Sequence, residues 1–136
     1  MELSFPRSNK DNTFEDVVDI TDNIIANAKC DGIKVENCGA DVNIATNNIA
    51  SLENGIRVKN FVKGCKVTVV GNTVDVANMK EHSGDEPWAL LVLNGNAELK
   101  PVLNIKDNVK NGSTEYWSSI TENRSDDSDC ATPFKD

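Results

Sequence analysis

His82 is the only histidine of the chain, and it stands in ANMKEHSGDEP, residues 77–87, with Lys80, Glu81, Asp85 and Glu86 around it. A histidine beside carboxylates is the composition of proton transfer, because the imidazole changes charge near neutral pH and an adjacent acid can orient it or exchange protons with it. The same composition also describes an ordinary solvated loop. One histidine cannot supply a Ser-His-Asp or Cys-His constellation without partners fixed around it. The other groupings are Glu36 with Asp41 and Lys34 with Arg57. Glu36 opposite Lys59 reads as a cross-strand ion pair of about a few tenths of a kcal/mol. No catalytic residue is therefore assigned.

Cys30, Cys38, Cys65 and Cys130 have no CxxC spacing and only one histidine to join them. Zinc sites need about four ligands at recognisable intervals. The expectation is no metal and no cofactor, with the thiols reduced and buried or idle.

These groups must be positioned by some frame, and the totals restrict what it is. A chain of 136 residues has room for one domain. Seven aromatic residues cannot dominate a core, so β-branched aliphatic residues must, which favours strands. The net charge of −8 is unevenly spread: residues 1–31 carry −4, residues 111–136 carry −4, and residues 32–110 balance at zero. A balanced middle argues against the basic surface that nucleic acid requires, and against a carboxylate-covered mimic of it. No apolar run approaches the ~20 residues that cross a bilayer, and MELSFPRSNK lacks the segments of a signal peptide, so the expected location is cytoplasmic.

The decisive signal is an internal repeat. The pattern apolar, x, apolar, x, x, Asn occurs at Val18, Ile20, Asn23; Val42, Ile44, Asn47; Val67, Val69, Asn72; and Leu103, Ile105, Asn108. Its asparagines lie 24, 25 and 36 residues apart. Between them falls a second pattern, small, apolar, x, apolar, x, Asn, at Gly32–Asn37, Gly55–Asn60 and Ala89–Asn94, with spacings of 23 and 34. Two patterns sharing one period and one long interval define a parallel β-solenoid of about three to four coils, stacked ~4.8 Å apart. Alternation sends Val and Ile inward and the polar residues outward. An Asn at the same turn of every coil can pass amide hydrogen bonds along the stack, so Asn23, Asn47, Asn72 and Asn108 are expected to form one column and Asn37, Asn60 and Asn94 another.

VDITDNII, VNIATNNIA and VTVVGNTVDV, with GIKVEN and GIRVKN, resemble the repeats of right-handed parallel β-helix proteins, the pectate-lyase-like and phage tailspike-like class. The resemblance covers residues 17–110. It implies a right-handed helix and, through the tailspike-like members, a bacterial or phage accessory protein and a virion component. That fold hosts lyases, hydrolases, adhesins and inert scaffolds alike, so it does not select an activity.

The expected organisation is an N-terminal cap at 1–16, coils over 17–110 with an insertion loop at 77–87, and a C-terminal cap or partly disordered tail at 111–136. The N-terminal cap would use Phe5, Pro6 and Phe14, with a short helix after Thr13. The tail loses the period, although Tyr116, Trp117 and Ile120, at near-helical spacing, are placed to lie across the last coil.

Outward positions of the GIxVxN strands grade from Lys34 and Glu36, through Arg57 and Lys59, to Leu91 and Leu93. These leucines with Trp88, and Lys80 and His82 of the insertion, form the expected partner-binding surface. The preferred function is a non-catalytic protein-interaction or structural module that binds a protein partner or another copy of itself. The alternative is a carbohydrate-binding or carbohydrate-cleaving domain, with a glycan as ligand.

Overall fold

The alternation of Val and Ile with polar residues is realised as strands that bury one face each, and every strand pair recorded is parallel. The computed structural model describes residues 1–4, 17–77, 87–112 and 114–135. Its strands are β1 (Glu2–Ser4), β2 (Val17–Thr21), β3 (Ile24–Ala28), β4 (Ile33–Cys38), β5 (Asp41–Ala45), β6 (Asn48–Ser51) and β7 (Ile56–Phe61). They continue as β8 (Lys66–Val70), β9 (Thr73–Val76), β10 (Leu90–Leu93), β11 (Val102–Lys106), β12 (Asn108–Lys110), β13 (Ser118–Ile120) and β14 (Phe134–Lys135). No helix among the described residues is long and apolar enough to cross a membrane.

Strands three apart in sequence lie side by side, except that β14 follows β12. Sheet A runs β1-β4-β7-β10-β13, sheet B β11-β8-β5-β2, and sheet C β14-β12-β9-β6-β3. The chain therefore visits A, B and C in turn and begins again one coil further on, which is a short parallel β-solenoid. Register is kept from coil to coil: Ile33, Ile56 and Leu90 align in sheet A, and Val42, Val67 and Leu103 in sheet B. Their inward side chains, with Val35, Ile44, Ile49, Val58, Val69, Val74, Val92 and Ile105, fill a fully buried aliphatic core. Large-to-small changes there would cost about 1 to 5 kcal/mol each.

Each of the three corners has its own solution. Between sheets B and C, a single left-handed residue precedes each column asparagine: Asp22, Thr46, Gly71 and Asp107 have φ of 59, 56, 71 and 58°. The following Asn turns inward. Asn23 Nδ2 donates to Asn47 Oδ1 at 3.0 Å, Asn47 Nδ2 to Asn72 Oδ1 at 2.9 Å, and Asn72 Nδ2 to Asn108 Oδ1 at 2.9 Å. The backbone N–H of each of these three donates to the same Oδ1 as its own amide, at 3.0 Å. The second amide hydrogen of Asn47, Asn72 and Asn108 goes to Ile20, Ile44 and Val69 O, one coil back. The ladder is the predicted one. It ends where Pro133 O accepts both Asn108 N–H and Nδ2.

Between sheets C and A stand Gly32, Gly55 and Ala89, the small residues of the second pattern. A Cβ on Gly32 would overlap Ile49 Cγ2 and Gly55 O, and one on Gly55 would overlap Val74 Cγ1 and Ala89 O. The next coil's carbonyl lies that close because Gly55 O and Ala89 O accept Ile33 N–H and Ile56 N–H at 2.9 Å. Gly55→Val is therefore expected to cost about 1 to 3 kcal/mol by overpacking, read as a lower midpoint in urea with unchanged m. A midpoint within error of wild type would refute the close approach.

Between sheets A and B stand the asparagines of the second column. Asn37 and Asn60 take left-handed φ of 53 and 64°, and they drop out of the β4–β7 register between Glu36↔Lys59 and Cys38↔Phe61. Their type answers a backbone need, since Asn tolerates positive φ better than most residues. Asn94 instead ties two loops, donating through Nδ2 to Leu99 O and Asn123 O at 2.9 Å each.

The polar C-terminal segment folds onto the last complete coil. β13 extends sheet A beside β10, β14 extends sheet C beside β12, and among the described residues sheet B receives only the single bridge Asn104↔Asp129. Tyr116, Trp117 and Ile120 do not form a helix: Ile120 lies in β13, Tyr116 packs outward on Trp88, and Trp117 turns towards the core. At the other end β1 pairs with β4, and the Met1 ammonium donates to Gly32 O at 2.9 Å. The expected N-terminal cap residues Phe5, Pro6 and Phe14, and the helix after Thr13, lie outside the described residues.

Candidate functional site

The outer face of sheet A collects Lys34, Glu36, Arg57, Lys59, Leu91 and Leu93 of the groups singled out from the sequence. Register aligns Glu2, Lys34, Arg57, Leu91 and Ser119 in one row, and Ser4, Glu36, Lys59 and Leu93 in the next. The first coils are ion-paired: Lys34 reaches Glu2 at 3.8 Å and Glu36 at 3.7 Å, and Lys59 reaches Glu36 at 3.9 Å. Each such half-exposed pair contributes only about 0 to 1 kcal/mol. The predicted Glu36–Lys59 pair is present, and Glu36 is thereby engaged on both sides. Asp41, on sheet B, instead accepts Lys66 N–H at 2.8 Å, so Glu36 and Asp41 do not join in one site.

Arg57 leans away from Lys34, its Nη1 3.6 Å from Asp31 Oδ2. The Asp31 side chain is only 7% exposed, and its other oxygen accepts Asn54 Nδ2 at 2.8 Å. Asn54 Oδ1 in turn accepts Trp88 N–H at 3.0 Å. This chain of bonds fixes the backbone at Trp88, whose ring meets Tyr116 edge-on at 5.2 Å between centroids. Buried Arg57 Nε has no hydrogen-bond partner among the described residues.

Two steps along the stack from Lys34 and Glu36 the charges give way to Leu91, half-buried, and Leu93, 39% exposed. Leu91 and Leu93 thus share the outer face of sheet A, and Trp88 lies just before β10. Lys80 and His82, with Glu81, Asp85 and Glu86, lie outside the described residues.

Sequence reasoning missed a concavity next to this strip. A cleft of about 470 Å³ opens at the C-terminal ends of β4, β7 and β10, lined by Asn37, Asn60, Asn94 and Asn96 with Phe61 and Leu99. Its walls are uncharged amides over an apolar floor, which suits hydroxyl or peptide groups better than an ion. The signal lies in the GIxVxN asparagines, although residue type alone does not announce the left-handed backbone at Asn37 and Asn60.

Among the described residues, no three His, Cys, Asp or Glu side chains converge as metal ligands. Cys38 and Cys65 form a buried pair with Sγ atoms 3.4 Å apart. The hydrogen bond between them, followed by burial, pushes the Cys65 thiol far above the ordinary range. Burial also raises Cys130.

The fold and this face define a class, a short parallel β-solenoid with one outer face partly apolar. Comparison with protein-family models, curated proteins and solved structures returned no match.

Proposed function

We propose that the chain is a non-catalytic binding module, a short right-handed β-helix of the tailspike-like kind that presents the outer face of sheet A to a protein partner, another copy of itself included. One observation carries this reading: Leu91 and Leu93 continue rows in which the preceding coils place Arg57, Lys59, Lys34 and Glu36. An exposed leucine on a face otherwise held by ion pairs contributes nothing to the core beneath, whereas an apolar contact rimmed by charge is the usual anatomy of a protein interface. The reading extends to a bacterial or phage accessory protein made in the cytoplasm, supported by the resemblance of its repeats to tailspike-like coils.

The test is affinity capture on the full chain from a lysate of its source, paired with its mass in solution by light scattering. The expected result is one specific protein partner or a self-associated species. Leu91→Asp with Leu93→Asp should weaken that association at least tenfold while the melting temperature stays within a few degrees, since neither side chain is fully buried. A monomer that captures no protein would overturn the reading.

The second reading, glycan binding, is favoured by the uncharged, asparagine-lined cleft at Phe61. It predicts that the same monomer is retained on a glycan array, and that Asn96→Ala reduces the retention.

A further inference from the structure

Cys38 and Cys65 sit on consecutive coils, Cys38 as the last residue of β4 and Cys65 immediately before β8, at the corner between sheets A and B. Both are buried, at 0 and 7% exposure, and their sulfurs are in contact at 3.4 Å. The two other thiols are differently placed: Cys30 is exposed, and Cys130 is half-buried with its Sγ 3.6 Å from Leu103 O. Closing the pair to a disulfide of about 2.05 Å needs an approach of about 1.4 Å. The connection into Cys65 can supply it, because Gly64 is exposed and nothing lies within 4 Å of where its Cβ would stand.

We propose that Cys38 and Cys65 are a built-in oxidation site, which closes to an intramolecular disulfide when a peroxide reaches this corner and so clips one coil to the next. One of the two sulfurs attacks hydrogen peroxide: an S–O bond forms, the O–O bond breaks, and the departing hydroxide takes the thiol proton as water. The second sulfur attacks the resulting sulfenic acid. The S–S bond forms, the S–O bond breaks, and hydroxide leaves with the second thiol proton as another water. Two thiols and one peroxide thus give one disulfide and two waters, the thiols losing the two electrons that the peroxide gains. The adjacent sulfur makes the second step intramolecular, which protects the first from further oxidation.

The bond also acts on the cleft. Cys38 follows Asn37, and its register partner is Phe61, both of which line the cleft. Oxidation therefore fixes one wall relative to the floor. The inference is independent of the proposed binding role, since it needs only the two thiols and the stack.

The test uses the full chain carrying Cys30→Ser and Cys130→Ser, which leaves both buried thiols in place and so does not put folding at risk. It is treated with a small excess of hydrogen peroxide, then unfolded and alkylated. The expected intact mass is about 2 Da below the reduced protein, with no alkyl group added. Trypsin should give residues 35–57 joined to residues 64–66, and dithiothreitol should separate them. The oxidised form should melt roughly 5 to 15 °C higher, as expected for a loop of this size closed without strain. Two alkylated thiols after treatment, or added oxygen on either cysteine without the linked peptide, would overturn the proposal. So would a wild-type map in which Cys30 or Cys130 takes one of the pair.

Discussion

Asn72→Leu is expected to lower the free energy of unfolding by about 3 to 5 kcal/mol, an exceptional value for a single substitution of similar volume. Leucine fills the site, so the loss is not a cavity effect. It comes from the groups left behind. Asn72 Oδ1 accepts both Asn47 N–H and Asn47 Nδ2, and Asn72 Nδ2 satisfies Ile44 O and Asn108 Oδ1. Asn47, Asn72 and Asn108 are 1, 0 and 1% exposed, so no water replaces what is removed. A buried polar group without a partner costs about 1 to 3 kcal/mol, and two of these four are orphaned, Asn47 N–H and one hydrogen of its amide, while Asn108 Oδ1 keeps its bond from Asn72 N–H and Ile44 O lies within the β5–β8 ladder. Asn23, at the half-buried first rung, gives the internal control. Its amide donates to Asn47 Oδ1 and Thr21 O, where solvent can substitute, so Asn23→Leu should cost about 1 kcal/mol or less. Urea denaturation of the two variants reads the difference directly. Equal losses, or a loss under about 1 kcal/mol at Asn72, would mean that the ladder follows from the fold and does not hold it.

That ladder was legible in the sequence because its cause is local and repeated. Each coil repeats the same offset between two inward β-branched residues, a corner and an asparagine, so four copies betray one geometry. The second column is harder to read, for an instructive reason. Asn satisfies a ladder and a left-handed backbone equally well, and only coordinates separate Asn47, whose amide is buried in the stack, from Asn60, whose φ is 64°. The small residues of that pattern were visible, but the crowding of Gly55 against Val74 and the Ala89 carbonyl was not, because it arises between coils. The end of the stack was least legible. There the inward column Ile25, Ile49, Val74 passes to Lys110, and sheet B keeps one bridge, so the period that announces a coil is missing although the coil is present. The outer face was readable as a list of residue types, yet the pinning of the Trp88 backbone through the Asn54 and Asp31 side chains joins three coils.

The terminal coil supports the second large prediction. A solenoid core is open at each end, and at this one Trp117 and Phe134 close it, their rings 5.4 Å apart and tilted by 57°. Lys110 Nζ lies 5.5 Å from the Trp117 ring, its stem occupying the column where Val74 stood one coil before. Leu103 and Ile105, in the same core cluster, are fully buried although they belong to the last complete coil. Removing the larger ring exposes that layer to water, so Trp117→Ala is expected to cost about 3 kcal/mol, below the upper range for a buried aromatic because the ring is only half-buried. Phe134→Ala should cost a comparable amount. The double variant should lose less than the sum, by about 0.5 to 1.5 kcal/mol, because the two rings also stabilise each other. Native-state hydrogen exchange adds a positional readout: with Trp117 gone, the amides of Leu103 and Ile105, which donate to Ser128 Oγ and Asp129 O, should lose protection well before those of Val67 and Val69. Uniform loss of protection along the stack, or strict additivity in the double variant, would refute a local plug and make the C-terminal coil an integral part of one cooperative unit.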